Sequence, residues 1–128
     1  MFSHGQIWWN ELTTRNAGRA MEFYGNAFDW TFDAMPTETG DTYWLCKSGD
    51  DVVAGILTMQ EPYFDDIPDH WFTYFAVDDI DIRIEEALAA GGTLRRPAFE
   101  VPGIGRIAIV ADPNGAVSGW MTPASQRK

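Results

Sequence analysis

The feature that most constrains this chain is that it writes the same strand twice. "VVAGILT" at residues 52–58 returns as "AVSGWMT" at 116–122, with Gly55 and Gly119 in the matching place, 64 residues apart. The pattern around them recurs at nearly the same spacing. Asn16 and Asp79, each standing where an apolar-periodic stretch begins, are 63 residues apart, as are Asp29 and Gly92, where each helical pattern gives way to a strand. A repeat of this length is a structural unit used twice.

The unit can be read from its periodicities. "GQIWWNELTT" alternates as a strand does, and "RNAGRAMEFYGNAF" carries Ala20, Phe23, Tyr24 and Ala27 at the spacing of one helical face, with Asn16 as N-cap. "DWTFDAM", "TYWLCK" and "VVAGILTM" read as three strands separated by the turns "PTETGD" and "SGDD". Downstream, "HWFTYFAV" is a strand and Asp79 caps a helix. Ile80, Ile84, Ala87 and Leu88 form its apolar stripe, and Gly91 ends it. "TLRRPAFEV", "RIAIVAD" and "AVSGWM" complete a second set of strands, joined by "PGIG" and "DPNG". The chain therefore reads as one domain over residues 1–128. Module one covers 5–60, a linker 61–69 and module two 70–123, each module a β-α-β-β-β unit of an α+β fold.

Composition limits function. With 45% hydrophobic and 14% aromatic residues in 128, the chain can bury a core and retain rings for a ligand cavity or an interface. A net charge of −10 repels phosphate backbones and anionic bilayers, which argues against nucleic-acid and membrane partners. Cys46 is the single cysteine, so neither an internal disulfide nor a thiol zinc cluster can form; set among strand formers, it reads as a buried, inert thiol. No apolar run approaches membrane-spanning length and "MFSHGQIWW" lacks the pattern of a signal peptide, so a cytoplasmic location is expected.

The segments "NAGRAMEFYGNAFDW", "FAVDDIDIRIEEALAAGG" and "RIAIVADPNG" resemble the vicinal oxygen chelate superfamily, which includes glyoxalase I, bleomycin-resistance and fosfomycin-resistance proteins and ring-cleaving dioxygenases. The resemblance covers nearly the whole chain. It implies paired β-α-β-β-β modules forming a curved mixed sheet around a crevice, and commonly a homodimer. Enzymes of the superfamily hold a divalent metal there, with ligands from the opening and closing strands of both modules. Carried over by distance from the helix caps, from the "DPNG" turn and by the repeat, those positions are Trp9, Phe72, Gly119 and Gly55. An indole, a phenyl ring and two glycines offer no metal donor, so the resemblance comes without its metal-ligand positions and no metal or other cofactor is expected.

Strand parity predicts which side chains accompany these positions. Ile7, Glu11 and Thr13 go with Trp9; His70, Tyr74 and Ala76 go with Phe72; Val53, Leu57, Val117 and Met121 share the glycine face, where missing side chains would widen the crevice. Leu12, Phe75 and Val77 go beneath the helices. The leading reading is metal-independent binding or sequestration of a small organic ligand by Trp9, Glu11, Phe72, Tyr74, Arg106, Gly55, Gly119 and Met121, with stacking from the rings and polarity from Glu11 and Arg106. Glu11 could instead stay solvated near the mouth or pair with Arg106 or Lys47, and Arg106 could be an ordinary hairpin-entering arginine. One alternative is a glyoxalase-like lyase or isomerase using Glu11 and His70 as base and acid; another is an interaction module with no small ligand. His4, close to the terminus, reads as frayed, and a displaced metal site of His4, Glu11 and His70 is the remaining variant.

Overall fold

The computed structural model describes all residues except 1–2, 37–41, 60–66, 102 and 125–128. Among the described residues, eight strands and two helices follow in the order expected. They are β1 (Ile7–Thr14), α1 (Ala17–Phe28), β2 (Thr31–Pro36), β3 (Thr42–Ser48) and β4 (Asp51–Thr58). After these come β5 (His70–Ala76), α2 (Ile80–Ala89), β6 (Thr93–Val101), β7 (Gly105–Ala111) and β8 (Val117–Pro123). The α+β class and the duplicated order are as the repeat predicts. The "PTETGD" turn, apart from Pro36, and most of the linker lie outside the described residues.

The chain groups into two compact units, residues 9–72 and residues 1–8 with 73–128. The described residues before Trp9 join the later unit for a reason visible in the backbone. Gly5 N–H donates to Ala76 O at 2.7 Å and Ala76 N–H donates to Gln6 O at 2.9 Å.

In the unit 9–72, β3 pairs antiparallel with β2 and β4, and β1 pairs parallel with β4, Glu11 lying opposite Gly55 and Leu12 opposite Ile56. Leu12, Cys46, Ala54 and Ile56 are buried together against Ala17, Ala20, Met21 and Tyr24 of α1. The helix thus packs through positions 17, 20, 21 and 24, not through the stripe 20, 23, 24 and 27. Phe23 is 63% exposed and Ala27 is exposed as well. Both stripes have helical spacing, and only contact with the sheet chooses between them. Asn16 caps α1 as expected, its Oδ1 accepting from Arg19 N–H at 3.0 Å, and Asp29 ends it in the left-handed region at φ 61°.

The unit 1–8 with 73–128 repeats the plan. β7 pairs antiparallel with β6 and β8, and β5 pairs parallel with β8, Tyr74 opposite Gly119. Val77, Ile80, Ile84 and Ala108 form its buried cluster, with Leu94, Ala98 and Trp120 packed around it. Asp79 caps α2 through Ile82 N–H, and Gly91 at φ 99° stops it. Leu88, expected on the buried stripe, is 47% exposed. In both units Leu12 and Val77 lie on the helix side, as strand parity requires.

Candidate functional site

The face of the 9–72 sheet turned away from α1 carries the side chains that alternate with the core set. Cys46 of β3 and Ala54 and Ile56 of β4 point to the helix, so Tyr43, Gly55 and Leu57 point the other way, together with Trp9, Glu11 and Thr13 of β1. Here Trp9 Nε1–H donates to the Tyr43 hydroxyl at 2.8 Å, and that hydroxyl donates to Glu11 Oε2 at 2.8 Å. Indole, phenol and carboxylate form one hydrogen-bonded row. Glu11 is only 8% exposed.

Gly55 explains how the row fits. A Cβ built on Gly55 would fall on the Tyr43 side chain, meeting its hydroxyl, Cζ and Cε2. The absence of a side chain at Gly55 does not widen a crevice; its space is filled by the phenol. Leu45 lies opposite Gly55, and Tyr43, two residues before Leu45 on the same face, reaches diagonally to Gly55, a separation an aromatic ring can span. Tyr43 was not among the expected site residues. Its signal is present in "TYWLCK", where alternation from Cys46 puts Tyr43 on the glycine side.

The other expected residues are distributed as follows. The His70 ring lies 6.2 Å from that of Phe72, edge to face, and His70 Nδ1 is 2.8 Å from Pro68 O. His70 is not joined to Glu11. Neither Lys47 nor Arg106, both weighed as partners of Glu11, takes that role: Lys47 Nζ lies 3.5 Å from Asp33 Oδ2, and Arg106 bonds Asp81 at 3.0 Å and approaches Glu100 at 3.7 Å. Arg106 shares the side of β7 that carries the buried Ala108 and faces α2, whereas Tyr74, Gly119 and Met121 share the opposite side. Its guanidinium is therefore turned from the face on which it was expected, because residues 106 and 108 have the same parity. Met121 is fully buried and packs as core.

His4 is tied, not frayed. Its Nδ1 accepts from Asp78 N–H at 3.1 Å. Asp78 in turn receives Arg83 Nε and Nη2 at 2.8 and 2.9 Å, which holds its carboxyl well below the usual carboxylate range. Asp69 is held down chiefly by the Thr14 hydroxyl, which donates to its Oδ2 at 2.6 Å. Burial pushes the Cys46 thiol up to about 11, as expected of an inert cysteine.

The divalent metal typical of the resembled enzymes does not fit these residues. Tyr43 fills the space at Gly55, and Trp9, Phe72 and Gly119 carry no donor. Among the described residues no group of three or more His, Cys, Asp or Glu is placed to hold a metal ion. Grooves occur on the helix sides of both units. One of about 760 Å³ lies beside Phe75, Trp120, Arg83 and Ala87, and one of about 410 Å³ beside Tyr24, His70 and Trp71. Among the described residues no helix is long and apolar enough to cross a membrane.

Comparison with known proteins agrees with the duplicated fold. Residues 6–117 match the family model of the Glyoxalase/Bleomycin resistance protein/Dioxygenase superfamily. CFP32 of Mycobacterium tuberculosis, whose name carries a provisional glyoxylase designation, is 37% identical over 123 residues, covering 96% of this chain and 46% of CFP32. The anthracycline biosynthesis protein DnrV of Streptomyces peucetius is 29% identical over 126 residues, covering 90% of this chain and 46% of DnrV. The chain thus spans about half the length of the curated relatives it matches. Among solved structures, the hypothetical protein BH1468 of Bacillus halodurans superimposes with a TM-score of 0.73 at 12% identity, covering 98% of this chain and 99% of that one. Methylmalonyl-CoA epimerase of Mycobacterium tuberculosis does so with a TM-score of 0.64 at 15% identity, covering 97% and 93%, a likeness of fold alone. By its sequence match and its fold, the chain belongs to the Glyoxalase/Bleomycin resistance protein/Dioxygenase superfamily.

Proposed function

We propose that this protein binds a small organic molecule without a metal, on the sheet face that carries Trp9, Tyr43 and Glu11. The observation that carries the reading is the hydrogen-bonded row from indole to phenol to buried carboxylate, seated on Gly55. Two rings supply stacking area with few rotatable bonds, and one oriented carboxylate supplies polarity, the usual division of labour in a ligand site. The polar part falls to Glu11 and Tyr43; Arg106, engaged by Asp81, takes no part. The protein acts in the cytoplasm as a homodimer, the assembly checked by light scattering.

Tryptophan fluorescence titrated with a panel of small aromatic compounds tests this. Saturable quenching that survives a chelator and is lost in Trp9→Ala supports binding. Quenching abolished by chelator, or stoichiometric metal in the purified protein, overturns the metal-free reading.

The glyoxylase designation of CFP32, at 37% identity, favours a second reading, a lyase or isomerase in which Glu11 is the base. Its acid partner would be Tyr43, which Glu11 touches, and not His70, which it does not. Turnover abolished in Glu11→Gln with binding retained would establish this reading over the first.

A further inference from the structure

We infer that Asn114, in the turn between β7 and β8, is a site of spontaneous modification: its side-chain amide is lost to water through a cyclic imide closed with the Gly115 nitrogen. The inference stands apart from ligand binding. The chain has four asparagines, Asn10, Asn16, Asn26 and Asn114. Asn10 lies within β1 and Asn26 within α1, where a hydrogen-bonded backbone keeps the following nitrogen from turning onto the side chain. Asn16 caps α1, its Oδ1 held by Arg19 N–H at 3.0 Å. Glu11, Ala17 and Ala27, which follow these three, each carry a side chain that crowds the nitrogen; Asn114 is followed by glycine and is exposed. Gly115 has φ 94°, a conformation that favours glycine, and a Cβ built there would meet nothing within 4 Å. The turn therefore demands the one residue that leaves the attacking nitrogen unshielded.

The reaction balances with solvent water as its co-reactant. The Gly115 nitrogen bonds to Asn114 Cγ and gives up its proton, the Cγ–Nδ2 bond breaks, and ammonia leaves. Water then opens the imide at either carbonyl. Attack at Cγ restores the chain with aspartate at 114, and attack at the Asn114 main-chain carbonyl leaves the chain running through Cγ as isoaspartate. Both products add one negative charge. Asp112 sets the pace. Its Oδ1 accepts from Asn114 N–H at 2.8 Å and from Ala116 N–H at 3.0 Å, and its main-chain oxygen accepts from Gly115 N–H at 2.9 Å. The reacting nitrogen must leave Asp112 to reach Cγ, and the carboxylate that bridges residues 114 and 116 resists that opening. Asp112 and Ala116 also line the groove of about 760 Å³, so modification reshapes one of its walls.

Incubation of the whole 128-residue chain in heavy-oxygen water, at body temperature and mildly alkaline pH, tests the inference. Ion exchange is expected to resolve a growing acidic form. Peptide mapping should place one heavy oxygen at position 114 in a mixture of aspartate and isoaspartate, formed faster as pH rises because the attacking nitrogen must lose its proton. Asn114→Gln, whose longer side chain closes a ring far more slowly, is expected to abolish that form. Asp112→Ala, with the circular dichroism of the native fold, is expected to form it severalfold faster. No acidic form, or one that persists in Asn114→Gln, overturns the inference. Aspartate without isoaspartate overturns the cyclic route, and a rate unchanged or lowered in Asp112→Ala overturns the role given to Asp112.

Discussion

The Tyr43 side chain stands where a side chain on Gly55 would have to be, and its hydroxyl is held there by Trp9 on one side and Glu11 on the other. Gly55→Ala should therefore cost about 1–3 kcal/mol by overpacking. In a Tyr43→Ala background the three contacts that block the methyl are gone, so the same substitution should cost much less. Urea unfolding of the four proteins of this double-mutant cycle measures the coupling, and additive costs would show that the two residues do not compete for one space.

Thr14 and Asp69 predict an acid-sensitive contribution. The Thr14 hydroxyl lowers the folded-state pKa of Asp69 below its ordinary value. A lowered carboxyl contributes stability above its unfolded pKa of about 3.9, and that contribution is lost as pH falls through the lower folded value. Thr14→Val should cost about 1 kcal/mol near neutral pH, and the difference from wild type should close in strong acid. Unfolding midpoints measured across that range check both parts.

The two helix caps should behave alike. Asn16 Oδ1 accepts from Arg19 N–H at 3.0 Å, and Asp79 Oδ1 accepts from Ile82 N–H at 3.3 Å. Alanine at either position should lower stability by about 1 kcal/mol, read from denaturant unfolding. The caps lie in separate units, so the double variant should sum the two costs.

Cys46 is fully buried, and its thiol is raised to about 11 by desolvation. At neutral pH it should react with a disulfide reagent only as fast as the chain opens around it. Mild urea should accelerate labelling in parallel with unfolding. Rapid labelling of the native protein would contradict the packing of Leu12, Cys46, Ala54 and Ile56.

Local physics was enough to determine much of this protein from sequence. Strand alternation requires nothing beyond the backbone, so Leu12 and Val77 could be assigned to the helix side and Trp9 and Glu11 to the other. Helix caps depend on neighbours within three residues, so Asn16 and Asp79 were legible, as was the duplication that relates Gly55 to Gly119. Tertiary structure alone decided which of two equally spaced stripes on α1 is buried, and that Leu88 faces water, because helical periodicity does not say where the sheet lies. It decided that Arg106 goes to Asp81 and Lys47 to Asp33, since long flexible cations choose among several acids by distance. Above all, it decided what fills the space beside Gly55. A glycine in sequence is only a missing side chain; whether that leaves a hollow or admits a ring depends on a diagonal contact between strands, which no single strand encodes.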